Sequence, residues 1–228
     1  MSYRTGPKIV TDGLVLCLDA ADRNSYPGSG STWYDLSGQN NHGSINNCTF
    51  ANGVCYFDGT NDYIECNHSS SLSMTSEITI EYSVKPIWDT PYTPIIDKRN
   101  GPSGTENYST WIGNDKLLDY IARPDSDKRP LVNGTSIFTS GNWYIIQITV
   151  DTSGNIKCYI NSQKFDTTGG AVGPSNTSPL VIGGINNSSG VTQSLGDGYI
   201  GYVKIHNIAL KQNELLQNYN ATKGRFGL

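Results

Sequence analysis

Short segments in which apolar and polar residues alternate recur along the whole chain, separated by clusters of glycine, asparagine, aspartate, serine and proline. The clearest is Glu77–Pro86, where the alternation places Ile78, Ile80, Tyr82 and Val84 on one face of a strand. Many short strands joined by polar turns are typical of an antiparallel sandwich and differ from the strand–helix alternation of α/β proteins. The pattern therefore predicts an all-β fold whose strands are half-buried.

The composition agrees with this prediction. The 228 residues include 25 glycines and 10 prolines, which interrupt helices, and 14 tyrosines, which favour strands. All-β sandwiches of this length fold as one domain. We therefore expect a single domain over residues 1–228, with a short N-terminal arm at 1–12 and a C-terminal tail at 220–228.

Two local patterns are distinct. Trp143–Asp151 and Asn155–Phe165 flank a three-residue link that contains Gly154, which predicts a β-hairpin. A single short helix is predicted within Lys211–Tyr219. The apolar stripe of this helix consists of Leu215, Leu216 and Tyr219.

Charge and cysteine content exclude several function classes. The formal net charge is −4 and the basic residues do not cluster, so nucleic-acid binding lacks its electrostatic basis. No apolar run approaches the roughly 18 residues that span a bilayer, and Met1–Gly13 is too polar for a signal peptide. We expect a soluble chain that is made in a cytoplasm. The five cysteines form no C-x-x-C pair, which argues against metal fingers and favours reduced, buried thiols.

A series of landmarks runs in order from near residue 13 to residue 219. It comprises Phe57–Ile64, Ile78–Pro86, Gly141–Tyr144, Ile156–Asn161, Leu180–Gly183 and Gly198–Asn207. In order and spacing, the series resembles the LamG-like jelly-roll domains of the concanavalin A-like lectin/glucanase superfamily. The resemblance implies a two-sheet antiparallel jelly-roll sandwich, here with one short C-terminal helix.

The two ends of the chain narrow the resemblance. Gly13–Ala21 with Trp33–Gly38, and Asn218–Gly227 at the other end, resemble the version of this domain found in tailed-phage virion proteins. This implies a bacteriophage virion structural protein, a capsid decoration or small appendage, that binds other virion proteins and has self-association as an option. Its location would be the virion, after synthesis in the host cytoplasm.

Glycoside hydrolysis is the enzymatic function to weigh, because the superfamily includes glucanases. Those relatives place their acids on one strand as Glu-x-Asp-x-Glu, which supplies the two carboxyl groups that the reaction needs. Here Glu77 and Glu81 share a strand face, but Thr79 lies between them. We therefore expect a non-enzymatic protein and interpret both glutamates as solvated charges.

Carbohydrate binding without catalysis is the alternative function. Sugar sites combine aromatic side chains with a few placed polar groups. The candidate carbohydrate-binding residues are Trp88, Tyr92, Tyr108 and Trp111, which fall in or beside a loop-rich region. Packing in the core or between loops is the competing interpretation of these aromatics. A working site would make the protein a receptor-recognition (adhesin) module of a head or tail fibre that binds a host-surface glycan.

Calcium is the one metal that the sequence raises. Asp58, Asn61 and Asp62 lie within five residues and offer the oxygen ligands that calcium prefers. The run Asp-Gly-Thr-Asn-Asp is also ordinary turn chemistry, in which side chains bond their own backbone. We prefer the turn and expect no metal and no cofactor, with calcium as the alternative.

Overall fold

The structure is a computed structural model that describes residues 7–87, 93–100, 105–113, 117–122, 137–165, 171–187, 190–191 and 197–228. In chain order its elements are β1 (Leu14–Asp19), β2 (Thr32–Trp33), β3 (Gly43–Asn46), β4 (Thr49–Ala51), β5 (Val54–Phe57), β6 (Tyr63–Cys66), a 3₁₀ turn (Ser70–Leu72), β7 (Ile78–Pro86), β8 (Thr93–Asn100), β9 (Thr105–Ile112), β10 (Leu118–Ile121), β11 (Tyr144–Val150), β12 (Ile156–Ile160), β13 (Gln163–Phe165), β14 (Leu180–Ile182), β15 (Asn186–Asn187), β16 (Gly190–Val191), β17 (Gly198–His206), α1 (Gln212–Thr222) and a 3₁₀ turn (Lys223–Arg225).

The described strands form two antiparallel sheets and a small two-stranded ribbon of β15 and β16. The first sheet has the order β13-β12-β11-β7-β17-β5-β4, and β1 also pairs with β17. The second sheet has the order β10-β9-β8-β14-β6-β3-β2. This architecture confirms the predicted all-β, two-sheet sandwich with one short C-terminal helix.

The inner faces of both sheets meet in one hydrophobic core. Ile78, Ile80, Tyr82 and Val84 are all buried there, as their alternation predicts. The second sheet contributes inward side chains such as that of Ile96. Each large apolar side chain that leaves water in this way contributes roughly 1.5–3 kcal/mol.

The predicted hairpin forms, but its second arm is two strands. Val150 of β11 pairs with Ile156 of β12. The chain then turns back at Asn161 and Ser162, whose φ angles are 50° and 64°, and β13 pairs with β12. Two successive residues with positive φ are typical of the tightest hairpin turns. The prediction that Asn155–Phe165 forms a single arm of the hairpin was therefore wrong.

Helix α1 extends three residues beyond the predicted end, into the segment expected to be a tail. Leu215 and Tyr219 are buried as predicted, whereas Leu216 is 48% exposed. Two of the three residues of the predicted stripe therefore face the sheet. Beyond the helix, the ring of Phe226 packs on that of Trp143 with centroids 4.6 Å apart.

The N-terminal arm is fastened to this helix. The backbone amide of Val10 donates to Asn218 Oδ1 at 2.7 Å, and Gln217 Nε2 donates to the carbonyl of Lys8 at 2.7 Å. Both ends of the described chain thus lie together on the outer face of the first sheet.

Two further expectations concern cysteine and membranes. All five cysteines are free, and four of them are buried while Cys48 is half-buried, as expected for small apolar side chains. Within the ranges that the structure describes, no helix combines the length and apolarity needed to cross a bilayer.

Candidate functional site

Of the four aromatic residues predicted to bind carbohydrate, Trp88 and Tyr92 lie outside the described residues. Tyr108 and Trp111 both lie on β9, an odd number of positions apart, so their side chains point to opposite faces. Tyr108 is fully buried in the core, where its hydroxyl donates to the carbonyl of Leu72 at 2.9 Å. It is a core residue and not part of a surface platform.

Trp111 is half-exposed on the outer face of the second sheet and belongs to a charged group of side chains. We call this group the Arg99 cluster; its members are Asp97, Arg99, Glu106, Ser109, Trp111, Asp119 and Asn186. Strand pairing assembles it, because Asp97 of β8 pairs with Ser109 of β9, and Asp119 of β10 pairs with Trp111.

Asp97 is the most completely bonded member of the Arg99 cluster. Its two carboxylate oxygens accept from Arg99 Nε at 2.8 and 3.0 Å. The hydroxyl of Ser109 donates to Oδ1 at 2.6 Å, and the backbone amide of Asn186 donates to Oδ2 at 3.0 Å. These contacts hold the Asp97 carboxylate in place, and the side chain is fully buried.

Arg99 links Asp97 to a second acid and to the aromatic ring. Its Nη1 lies 3.4 Å from Glu106 Oε1. Its guanidinium carbon lies 4.9 Å from the centroid of the Trp111 ring, which is cation–π geometry. Within the described part of the chain, Arg99 Nη2 and Trp111 Nε1 are buried N–H donors with no hydrogen-bond partner.

Burial dominates the electrostatics of Asp97. It raises the pKa of the Asp97 carboxyl above its ordinary value, although Arg99 and the hydrogen bonds from Ser109 and Asn186 act in the opposite direction. Two acids, Asp97 and Glu106, contact the Arg99 guanidinium. The chemistry available is that of carboxylate acceptors, two buried N–H donors and one half-exposed indole.

The Laminin_G_3 family model, described as Concanavalin A-like lectin/glucanases superfamily, matches residues 58–216. The chain belongs to this superfamily. No functionally curated protein matches its sequence.

Solved structures share the superfamily fold at low sequence identity. A Trypanosoma rangeli sialidase in complex with sialic acid is 15% identical, with a TM-score of 0.70 over 93% of this chain and 33% of the sialidase. A mutant of that sialidase displaying trans-sialidase activity is 16% identical, with a TM-score of 0.72 over 96% and 35%. The botulinum neurotoxin serotype D ligand binding domain, in complex with N-acetylneuraminic acid, is 14% identical, with a TM-score of 0.65 over 93% and 52%.

These matches contradict the prediction that the chain is non-enzymatic. The concanavalin A-like fold occurs within sialidase chains, and the missing Glu-x-Asp-x-Glu motif excludes only one arrangement of acids. Since this chain spans about a third of each sialidase, the likeness assigns it their fold and not their activity. The virion context drawn from the chain ends stays a prediction.

The interpretation of Glu81 as a solvated charge was wrong. Its carboxylate is fully buried on the outer face of the first sheet, under α1, and lies 2.8 Å from Lys204 Nζ. The polar side of β7 does not face water, because the C-terminal helix covers it. Glu77, four residues earlier, lies outside this ion pair.

The acidic turn that raised calcium makes its own backbone contacts. The amide of Asp58 donates to Asp62 Oδ2 at 2.9 Å, and the amide of Thr60 donates to Asp58 Oδ1 at 2.8 Å. Such bonds support the turn interpretation. Binding of calcium beside Asn61 stays a prediction, which the melting temperature of wild type and Asp62→Ala with and without calcium would test.

Sequence reasoning missed most of the Arg99 cluster. Aromatic content guided the prediction toward Trp111, whereas Asp97, Arg99 and Glu106 were not considered as ligand-binding residues. A usable signal was present: strand alternation puts Asp97 and Arg99 on one face of β8, where acid and base can pair.

Proposed function

We propose that the chain is a lectin-like module that binds a sugar at the Arg99 cluster. The observation that carries the proposal is the pair of buried N–H donors, Arg99 Nη2 and Trp111 Nε1, that have no partner among the described residues. An unsatisfied buried donor costs about 1–3 kcal/mol. A ligand rich in oxygen acceptors would satisfy both donors at once.

The remaining members of the Arg99 cluster suit a sugar equally well. Carboxylates such as those of Glu106 and Asp119 are acceptors for hydroxyl donors, and the half-exposed Trp111 ring offers an apolar surface. Solved structures of the same fold are complexes with sialic acid and N-acetylneuraminic acid, which supports sugar as the ligand class.

Binding to a glycan array tests this proposal. We expect the wild-type protein to bind a subset of the glycans on the array. Trp111→Ala should reduce affinity at least about tenfold, which corresponds to about 1.4 kcal/mol. Tyr199→Ala, which removes a half-buried aromatic ring from the other sheet, is the matched control and should bind as wild type does.

Two results would refute the proposed site. One is the absence of binding to any glycan by a correctly folded wild-type protein. The other is equal affinity of wild type and Trp111→Ala, with circular dichroism showing that both are folded. A sugar-release assay on the bound glycans would establish whether the site also acts on them.

We propose further that the module belongs to a bacteriophage particle, as a capsid decoration or small appendage. The support is the resemblance of the two chain ends, Gly13–Ala21 with Trp33–Gly38 and Asn218–Gly227, of which the first and last are in contact through the ion pair between Asp19 and Arg225. Mass spectrometry of purified particles, with copy-number estimation, tests this location. Absence of the protein from particles that a producing cell releases would refute it.

A further inference from the structure

A separate cleft of about 420 Å³ lies between the loop that follows β1 and the turn that joins β4 to β5. None of its lining residues belongs to the Arg99 cluster. Its volume falls in the range of small-molecule sites, roughly 300–1,000 Å³. The cleft therefore offers room for one or a few sugar units and not for a folded partner.

Two aromatic rings form one wall of the cleft. The rings of Tyr26 and Phe50 stack with centroids 4.1 Å apart and planes 23° apart. Phe50 also meets the buried Trp33 ring edge-on, with centroids 5.1 Å apart. Both rings are half-buried and packed against the core, so their position is fixed before any ligand arrives.

The opposite wall is the β4–β5 turn, which packs closely against the loop that follows β1. Gly53 has a φ of 76°, and a Cβ at this position would lie 2.9 Å from the Cβ of Ala21. Only glycine therefore lets the β4–β5 turn approach the β1 loop so closely. Arg225 links the turn to the end of β1. Its Nη1 lies 2.7 Å from Asp19 Oδ2, and its Nη2 donates to the Gly53 carbonyl at 3.5 Å.

The charge of the cleft is positive. Among the described residues that line it, Arg23 is the only charged one, and it is exposed. Neither of the two acids nearest to Arg23 in the sequence, Asp19 and Asp22, lines the cleft. Asp19 pairs with Arg225, and Asp22 Oδ1 accepts from the amide and side chain of Asn24 at 2.9 and 3.0 Å.

We infer that this cleft is a second binding site, specific for an acidic sugar. The carboxylate of the sugar pairs with the Arg23 guanidinium, and an apolar face of the pyranose ring packs against Tyr26 and Phe50. Arginine matches the planar geometry of a carboxylate with two parallel N–H groups. The cleft thus selects sugars that carry a negative charge.

Galacturonic acid and galactose form a matched pair of probes, because they differ by the carboxylate. Each is titrated into the isotope-labelled full chain, and the backbone amides of Gly28 and Gly53 report binding in the cleft by NMR. We expect galacturonic acid to bind at least about tenfold more tightly than galactose, the effect of one hydrogen-bonded charge. The difference should shrink as salt is added, because the guanidinium is exposed.

Arg23→Gln is the variant that tests the assignment, and Lys157→Gln removes one exposed positive charge from β12 as its control. We expect Arg23→Gln to abolish the preference for galacturonic acid and Lys157→Gln to retain it. N-acetylneuraminic acid is titrated in parallel. Tighter binding of this probe than of galacturonic acid would support the inference and identify sialic acids as the source of the carboxylate.

Three outcomes would overturn the inference: no shift of the Gly28 and Gly53 amides with either acid, equal affinity for galacturonic acid and galactose, or an unchanged preference in Arg23→Gln. Binding of an acidic sugar in the cleft does not depend on the Arg99 cluster. Trp111→Ala should leave binding of acidic sugar in the cleft intact, just as Arg23→Gln should leave binding of glycans at the Arg99 cluster intact. Failure of one site is thereby distinguished from failure of the other.

Discussion

Each sheet carries a buried acid–base pair on its outer face, and the two pairs differ in how completely they are bonded. On the first sheet, Glu81 accepts from Lys204 Nζ and from Gln147 Nε2, both at 2.8 Å. Gln147 Nε2 also donates to the Leu215 carbonyl of α1 at 2.8 Å. On the second sheet, Arg99 has two acidic partners and still leaves Nη2 without one in the described chain.

The pKa values of the two buried acids, Glu81 and Asp97, are shifted in opposite directions. Burial acts to raise the pKa of Glu81, but Lys204 and the hydrogen bonds from Lys204 and Gln147 outweigh it, so the pKa lies below its ordinary value. For Asp97 burial outweighs Arg99, and the pKa lies above its ordinary value. The first surroundings favour the charged carboxylate and the second favour the neutral acid.

The difference separates a structural role from a binding role. The Glu81 network satisfies its donors and acceptors and attaches α1 to the sheet, which is what a buried network must do to stabilise a fold. The Arg99 cluster retains unsatisfied donors. Natural proteins tolerate such local costs mainly where function requires them.

The largest effect is expected from Lys204→Met. The substitution leaves the Glu81 charge buried without its cation and should lower the free energy of unfolding by about 3–5 kcal/mol. Urea denaturation measures the change. The double variant with Glu81→Leu removes both charges and should recover most of the loss; a double variant as unstable as the single one would contradict a charge-based cause.

A smaller effect is expected from Asp97→Asn, which should lower the free energy of unfolding by about 1 kcal/mol at low pH. Arg99 keeps Glu106 as a partner, so no unpaired cation remains. Because the folded-state pKa of Asp97 is raised above 3.8, its stabilising contribution is present at low pH and is lost as the pH rises through that raised value.

Glu81 has the opposite dependence. Its folded-state pKa is below 4.5, so its contribution is present above that ordinary value and is lost as the pH falls. Free energies of unfolding between about pH 3 and 7 should give difference curves of opposite slope for Asp97→Asn and Glu81→Gln. Parallel curves would remove the distinction between the two pairs.

The last effect is confined to alkaline pH and concerns Lys98, the residue between Asp97 and Arg99. Its Nζ donates to the Ser178 carbonyl at 2.6 Å, and burial lowers its pKa from 10.5 to about 8. The unfolded chain binds more protons between these values, so stability should rise with pH from about 8 to 10.5. Lys98→Met should flatten this rise, and a slope unchanged in the variant would show that another group causes it.

Strand alternation predicted the fold because burial of one face is a local property of the sequence. The inward row from Ile78 to Val84 is an example. The same alternation along β9 places Tyr108 and Trp111 on opposite faces of the second sheet. What the sequence could not indicate was which outer faces are covered: Glu81 is buried by α1, more than 130 residues later in the chain.

The binding residues were harder to predict for a related reason. Asp97 and Arg99 contact each other locally, but their significance depends on Glu106 and Trp111 from a neighbouring strand. The cleft depends on Gly53 lying against Ala21, a contact between a loop and a hairpin that no periodicity records. Contacts between different strands and loops form the sites, whereas the alternation of apolar and polar residues along single strands specifies the fold.

The attachment of Lys8 and Val10 to α1 determines which sheet faces away from anything joined to an end of the chain. Since residues near both ends sit on the first sheet, a neighbour or an affinity tag joined at either end would stand behind that sheet. The Arg99 cluster would then face outward, while the Tyr26–Phe50 cleft, whose rim Arg225 contacts, would lie close to the point of attachment. Tethering the chain by an end should therefore hinder access to the cleft and leave the opposite sheet open.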